Sequence, residues 1–216
     1  MSIVPSAVAS SVVGKNRAQG RKVPGAFSLV ELLVTMALII ILFVMLYGKG
    51  SRSFQHEQKK ICQENLQNIY VALQLYANDA DGLFPQTNGA TSSEQPLSLL
   101  LPKYTTVTAP FTCPGTKAGP LPEGVSFADR RISYAYYMGR RASDGAAPLL
   151  SDAQVNTQAK AVGQQVFSSD GKAPGNNHHK YGGNIMFSDG NVEMIQTKAR
   201  QSLTLTQGVV LLNPRP

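Results

Sequence analysis

Glu31 is the residue whose chemistry is most constrained by its surroundings. It lies in an apolar run from Phe27 to Tyr47, in which only Ser28, Glu31 and Thr35 are plainly polar. An ionised carboxylate in a membrane-spanning helix costs about 2–4 kcal/mol near mid-membrane, and less towards the interface. We therefore expect Glu31 to be paired with a positive charge when it is buried in an apolar environment.

A second set of residues combines imidazole and carboxylate groups, which ligate metals and relay protons. These residues are Asp170, His178, His179 and Asp189. No Ser, Cys or paired acid lies at a spacing that would complete a nucleophilic site, so the sequence does not predict an enzyme. Because Asp189-Gly190 is typical of a turn, we favour a structural role for His179 in the preceding loop, with metal binding as the alternative.

The apolar run is long enough to cross a membrane. It has 21 residues without Pro or Gly, and a bilayer core needs about 20 in a helix. Four cations and no acid precede it, which predicts a cytoplasmic amino terminus and an exported remainder. The cations are Lys15, Arg17, Arg21 and Lys22.

Without these four cations, the net charge of the chain falls from +7 to about +3, from 16 basic and 13 acidic side chains. The remaining basic residues form no cluster of the kind that binds nucleic acid.

The amino-terminal pattern resembles that of the type IV prepilin and type II secretion pseudopilin superfamily. The shared features are a basic leader, Phe27 at the first mature position and Glu31 at the fifth. The resemblance implies cleavage between Ala26 and Phe27 by a prepilin peptidase, N-methylation of Phe27, and pairing of Glu31 with the amine of the next subunit. The family usually has Gly before the cut, and here Ala26 follows Gly25. A cleaved secretory signal and an uncut signal anchor are the alternatives.

The carboxy-terminal half carries a second resemblance. His179, nine residues, and Asp189-Gly190 resemble a motif of prepilin-like proteins in planctomycete and verrucomicrobial bacteria. This motif implies no chemistry, and we expect no cofactor. Asp79 and Asp81 begin like a calcium loop, but Ala90 stands where an EF-hand needs its bidentate acid. We therefore assign no metal ligand, with a structural calcium or other metal as the alternative.

The elements that would position these residues form an α+β, pilin-like ladle. It consists of a leader at 1–26, a membrane or filament-core helix at 27–47, an amphipathic stem at 48–81 and a head at 82–216. The stem's apolar residues recur at steps of four and three, which predicts one buried stripe. The stripe is Cys62, Leu66, Ile69, Leu73 and Tyr76, and the opposite, solvent-facing side is predicted to hold Lys59, Lys60, Gln63, Glu64, Gln67 and Gln74.

Cys62 and Cys113 both lie in the exported part of the chain. In an oxidising compartment two such cysteines can pair, and the bridge would pin the connector to the stem. We favour this disulfide over two separately buried thiols. Neither cysteine has the spacing of a metal or redox motif.

The head is predicted to begin with a loop-rich connector over 83–130, with a short helix near Pro96–Lys103, followed by a small antiparallel sheet. Strands are predicted around Ile132–Tyr136, Pro148–Asp152 and Gln164–Ser168. The clearest unit is a hairpin over Ile185–Ile195 with a two-residue type I′ turn at Asp189-Gly190. That register places Phe187 opposite Val192 and Ile185 opposite Met194.

The sequence thus predicts a structural subunit of a pilus-like filament, first a type II secretion pseudopilin. The alternatives are a type IV pilin for adhesion, motility or DNA uptake, and an unprocessed membrane-anchored binding domain. The expected partners are the prepilin peptidase/methyltransferase, copies of this chain and other pseudopilins, the assembly platform and membrane lipid. The expected location is the bacterial inner membrane, single-pass, with a periplasmic head, and then a periplasmic or surface filament.

Overall fold

The computed structural model describes residues 28–47, 50–116, 118–119, 121–124, 126–127, 130–154, 157–166, 177, 182–196 and 203–216. The chain is α+β and divides into two compact units, Met1–Gly48 and Lys49–Pro216. Helix α1, Leu29–Tyr47, belongs to the first unit. The second holds helix α2, Gly50–Asp79, the connector and a sheet. Residues 1–27 and 48–49 lie outside the described ranges, so the leader and a single continuous helix stay predictions.

The predicted apolar stripe of α2 packs into the core of the second unit. Cys62, Leu66, Ile69 and Leu73 are at most 1% exposed, and Tyr76 is half-buried. The helix ends at Asp79 because Asp81 and Gly82 adopt positive φ angles of 51° and 79°, which a right-handed helix cannot continue.

The prediction for Lys59 was wrong. Its side chain is buried rather than solvent-facing. Lys59 lies three residues before Cys62, so it continues the same stripe by one turn. Its neighbour Lys60 is exposed, as predicted.

The connector is loop-rich and lies against α2. It contains helix α3, Glu94–Leu97, which runs directly into a 3₁₀ helix at Ser98–Leu100, and a second 3₁₀ helix at Ala109–Phe111. The predicted short helix is therefore present, but it begins two residues earlier than Pro96 and ends at Leu100. Leu100 and Phe111 are buried in the same core as the α2 stripe.

The sheet has five antiparallel strands in the order β4-β3-β2-β1-β5. Their bounds are β1 Tyr134–Met138, β2 Pro148–Asp152, β3 Gly183–Phe187, β4 Val192–Ile195 and β5 Val210–Leu212. A 3₁₀ helix at Ala142–Asp144 lies between β1 and β2. The predicted strand Pro148–Asp152 is confirmed. Ile132 precedes β1. In the described part of the predicted strand Gln164–Ser168, residues 164–166, only Gln165 forms a β-bridge, to Thr204.

Both faces of the sheet are covered. Tyr134, Tyr136 and Met186 pack with the α2 stripe. Ala135, Tyr137 and Ile185 face the other side, where Val166, Leu203 and Leu205 cover them. This second layer explains why β3 is buried throughout and β1 is buried from Tyr134 to Tyr137, whereas a half-buried strand was predicted for β1.

The β3–β4 hairpin exists, but its predicted turn and register were wrong. Met186 pairs with Val192 and Ile185 with Glu193, one residue away from the predicted pairing. The Phe187 amide donates to the carbonyl of Asn191, which leaves a three-residue loop of Ser188, Asp189 and Gly190. Gly190 takes the left-handed position that such loops require. Because the register shifts by one, Met194 is 44% exposed rather than part of an apolar face.

Candidate functional site

Helix α1 presents an apolar surface that is exposed at every position from 29 to 46. Its 18-residue window Leu29–Leu46 is long and apolar enough to cross a membrane, and no part of it is buried. The Thr35 hydroxyl donates to the Leu32 carbonyl at 2.9 Å, so this polar group is satisfied within the helix. Glu31, in the first turn, is exposed and is the one charged side chain of residues 28–47. A surface of this kind is stable only against lipid or another protein.

The predicted cleavage and methylation positions, Ala26 and Phe27, lie outside the described residues. The same holds for His179, and for Asp170 and His178 of the imidazole–carboxylate set. Of the predicted site residues, the structure therefore places Glu31, the two cysteines and the Asp189-Gly190 pair.

Cys62 and Cys113 are joined by a disulfide. Both residues are fully buried, and the bridge ties α2 to the connector. The Cys113 amide also donates to the Ser133 hydroxyl at 2.9 Å, just before β1. The bond therefore fixes the point at which helix, connector and sheet meet.

A buried polar cluster that the sequence did not predict lies beside this bridge, centred on Asp152 at the end of β2. One carboxylate oxygen of Asp152 accepts the Asn184 amide at 2.8 Å, and the other accepts the side-chain amide of Asn177 at 3.1 Å. Asn177 also donates to the Ser133 carbonyl at 2.8 Å. Asp152, Asn177 and Asn184 are at most 2% exposed.

Lys59 joins this cluster from α2. Its ammonium donates to the carbonyl of Ile195 on β4 at 2.8 Å, and the Asn184 side chain donates to the Lys59 carbonyl at 3.0 Å. The part of α2 around Lys59 is thus attached to β3 and β4 by buried polar contacts as well as by apolar packing. Truncating one partner of such a contact leaves a buried group unpaired, which is expensive.

Burial shifts the pKa values of the two ionisable groups in this cluster, Asp152 and Lys59. It raises the pKa of Asp152 to about 7, against the opposing hydrogen bonds from Asn184 and Asn177 and the attraction of Lys59. It lowers the pKa of Lys59, against the attraction of Asp152. Perturbed groups of this kind mark either catalytic sites or structural networks. Both side chains are enclosed and hydrogen-bonded to the backbone of the strands, which favours the structural role.

The two cysteine sulfurs and a carboxylate oxygen of Asp152 lie within 4.8 Å of one another. Two thiolates and a carboxylate are a ligand set that zinc accepts. Here the sulfurs are bonded to each other, and thiolates are needed for ligation. The arrangement is therefore a disulfide beside a buried acid.

The Asp189-Gly190 pair forms the tip of the hairpin and contacts α2. The Asp189 carboxylate accepts the amide of Asn191 at 3.0 Å, as turn aspartates do. The Tyr70 hydroxyl donates to the Ser188 carbonyl at 2.9 Å and accepts a hydrogen bond from Gln74. The Asp189-Gly190 half of the carboxy-terminal motif thus stabilises the turn, and the turn packs against α2.

Asp79, considered above as the start of a calcium loop, is engaged elsewhere. Its carboxylate accepts the Lys103 ammonium at 2.8 Å and the Tyr104 hydroxyl at 3.2 Å. Hydrogen bonds from these two groups lower the pKa of Asp79. It belongs to an exposed ion pair that attaches the end of α2 to the connector.

The sequence matches no protein-family model, and neither a curated protein nor a solved structure matches it. Sequence reasoning missed Lys59 and Asp152. The first was detectable from its place on the apolar stripe, while the second depends on strand pairings that no local signal carries.

Proposed function

We propose that this chain is a structural subunit of a type IV pilus-like filament, and specifically of a type II secretion pseudopilus. In this role α1 first anchors the precursor in the inner membrane and then packs into the filament, while α2 and the sheet form the head of a ladle-shaped subunit. The observation that carries the proposal is α1 itself, which is apolar except for the Glu31 carboxylate in its first turn and the Thr35 hydroxyl.

Lipid and protein cores are similarly apolar, so moving α1 from membrane to filament gains little hydrophobic free energy. Assembly then needs another interaction to fix the position of each α1 relative to the α1 helices of neighbouring copies. An amine created by cleavage before Phe27 would attract the Glu31 carboxylate of a neighbouring copy, and this attraction is strong where the dielectric constant is low.

The head has features that suit an exported subunit. Its disulfide is stable in an oxidising compartment such as the periplasm. The polar cluster around Asp152 and Lys59 is enclosed and attached to the backbone, which supports a structural role over an enzymatic one.

Processing tests this proposal against the membrane-anchor alternative. We expect the mature protein, purified from its own membranes, to begin with N-methylated Phe27 by intact mass spectrometry. Ala26→Glu should abolish cleavage because a prepilin peptidase requires a small residue there, whereas Ala26→Gly should preserve it. A native chain that begins upstream of Ala26 would overturn the proposal.

A further inference from the structure

The segment between helices α2 and α3 contains a turn at Asn88 and Gly89, the single Asn-Gly pair in the sequence. We propose that Asn88 is a site of spontaneous covalent modification, at which the side-chain amide is lost and an aspartate or isoaspartate takes its place. This chemistry is independent of filament assembly, since it needs only water and the folded head.

The reaction begins when the backbone nitrogen of Gly89 attacks the side-chain carbonyl carbon of Asn88. A nitrogen–carbon bond forms, the attacking nitrogen gives its proton to the solvent, and the side-chain nitrogen leaves as ammonia, which closes a succinimide ring. Water then adds to one carbonyl carbon of the ring, and the bond from that carbon to the ring nitrogen breaks. Opening at the side-chain carbonyl gives aspartate, and opening at the main-chain carbonyl gives isoaspartate.

Both reacting groups are accessible in the folded head. Asn88 and Gly89 are exposed, and within the described residues neither the Asn88 side chain nor the Gly89 amide forms a hydrogen bond. The amide of Ala90 donates to the Thr87 carbonyl at 3.2 Å, which closes the turn around the pair. The space beside Gly89 is open, because a Cβ added there would meet nothing within 4 Å.

Other described segments with an acid directly before glycine differ in the state of the glycine amide. In the pair Asp81-Gly82 this amide donates to the Ala77 carbonyl at 2.8 Å, and in the pair Asp189-Gly190 it donates to the Phe187 carbonyl at 2.9 Å. The nitrogen that would attack is thus engaged in both pairs. Its hydrogen bond must break before a ring can close, which raises the barrier.

The side chain before glycine is also engaged elsewhere in the described part of the chain. The carboxylate of Asp189 accepts the amide of Asn191 at 3.0 Å, and that of Asp144 accepts the amide of Arg141 at 2.9 Å. Among the described pairs of Asn or Asp with a following Gly, Asn88-Gly89 is therefore the one in which both groups are free to meet.

The modification should change the charge of the head without unfolding it. Either product adds a carboxylate and so lowers the net charge by one, and isoaspartate also adds one carbon atom to the main chain. The flanking chain is held on both sides, because Tyr136 donates its hydroxyl to the Pro85 carbonyl at 2.8 Å and Ser93 donates its own to the Tyr134 carbonyl at 2.8 Å. The exposed turn between these anchors can absorb the extra atom.

The test ages the full chain in detergent at mildly alkaline pH. Samples are digested at mildly acidic pH, where the reaction is slow, and the peptide containing residue 88 is followed by mass spectrometry. Isoaspartate is counted with a protein isoaspartyl methyltransferase and labelled S-adenosylmethionine. We expect aspartate and isoaspartate to accumulate at Asn88, with an unchanged urea midpoint for the aged protein. Asn88→Gln should remove the methyl-accepting site, because its longer side chain disfavours ring closure.

Two matched variants test whether local geometry selects the site. Asp81→Asn and Asp189→Asn each create a second Asn-Gly pair, in a turn whose glycine amide is hydrogen-bonded. In the folded chain these introduced asparagines should react at least about tenfold more slowly than Asn88, the rate factor for breaking one hydrogen bond. In the urea-unfolded chain all three positions should react at similar rates.

Three results would overturn the proposal. The first is that Asn88 keeps its amide in the folded chain, whether or not it reacts in urea. The second is that Asn184 or Asn191 reacts as fast as Asn88, which would show that the turn confers no reactivity. The third is that the asparagines introduced by the two variants react as fast as Asn88 in the folded chain, which would show that the hydrogen bonds of the glycine amides do not protect them.

Discussion

The ring of Tyr70 on α2 lies directly against Gly190 at the tip of the β3–β4 hairpin. A Cβ added to Gly190 would stand 2.5 Å from Cε1 of this ring, closer than carbon atoms pack, and the residue has a φ of +87°. The Tyr70 hydroxyl meanwhile bonds the Ser188 carbonyl of the same loop. Glycine is thus required both by the backbone conformation and by the contact with the helix.

We expect Gly190→Ala to lower the free energy of unfolding by about 2–4 kcal/mol, from the sum of backbone strain and overpacking. Gly208→Ala is the control, because Gly208 has a similar φ of +81° but nothing within 4 Å of an added Cβ. This control should lose only about 1–2 kcal/mol. Urea unfolding in detergent measures both. Equal losses would show that the contact with Tyr70 contributes nothing.

Lys59 and Lys60 are adjacent cations in different environments, and the matched pair tests the position of α2 on the sheet. Lys59→Met removes the donor to the Ile195 carbonyl and the positive charge that attracts Asp152. It should lower the free energy of unfolding by about 2–3 kcal/mol. Lys60→Met, on the exposed side, should change it by no more than about 0.5 kcal/mol. The reverse ranking would place Lys59 on the solvent side after all.

The buried carboxyl of Asp152 predicts a pH dependence of stability. Its pKa is raised by burial to about 7 in the folded protein, above its ordinary value of 3.8, so the folded state binds the proton more tightly. Stability should therefore fall as the pH rises from about 4 to about 7, by at most about 4 kcal/mol. The lowered pKa of Lys59 acts with the opposite sign, because stability then rises with pH up to 10.5.

Asp152→Asn should flatten this dependence between pH 4 and 7, since the amide keeps an acceptor for the Asn184 amide but does not titrate. Thermal unfolding of both proteins across that range is the measurement. An unchanged slope in the variant would assign the pH dependence to other groups.

The disulfide should be a major source of stability. It closes a loop with a sequence separation of 51, for which chain entropy gives about 4 kcal/mol. We expect the Cys62→Ala/Cys113→Ala variant to lose about this much, and to be insensitive to dithiothreitol. Reduced wild-type protein serves as the comparison. A variant as stable as the oxidised wild type would contradict the prediction.

Glu31 should matter for assembly and not for insertion. If the proposed function is right, Glu31→Ala should still fractionate with the inner membrane but form filaments poorly, because it removes the carboxylate proposed to pair with the amine of Phe27 in a neighbouring copy. Thr35→Ala, one turn along, is the control and should assemble normally, since the Thr35 hydroxyl bonds within its own helix. Cell fractionation and electron microscopy of sheared filaments measure the two steps. Normal filaments from Glu31→Ala would refute the role.

The elements that local sequence determines were predicted well. Helix α2 follows from the spacing of Cys62, Leu66, Ile69 and Leu73, and its end follows from the turn residues around Gly82. Strand β2 and the hairpin were also placed in the right segments.

The predictions that were wrong or missing concern residues whose environment is set by contacts between segments distant in sequence. The Asp189-Gly190 pair fits a two-residue turn as well as a three-residue loop, and the choice is made where Gly190 meets Tyr70 on α2. Lys59 looks solvent-facing until Ile195 supplies its acceptor. The environment of Asp152 likewise requires Asn177 and Asn184, which come from later segments.

The order of strands in the sheet has a consequence for biogenesis. β1 pairs on one side with β5, the last of the described strands to be synthesised, and Glu94 near the start of the connector anchors the amide of Arg215 beyond it. The described sheet therefore cannot be completed until residue 215 has been synthesised. Until then one side of β1 lacks its partner strand, and its backbone groups on that side stay unpaired.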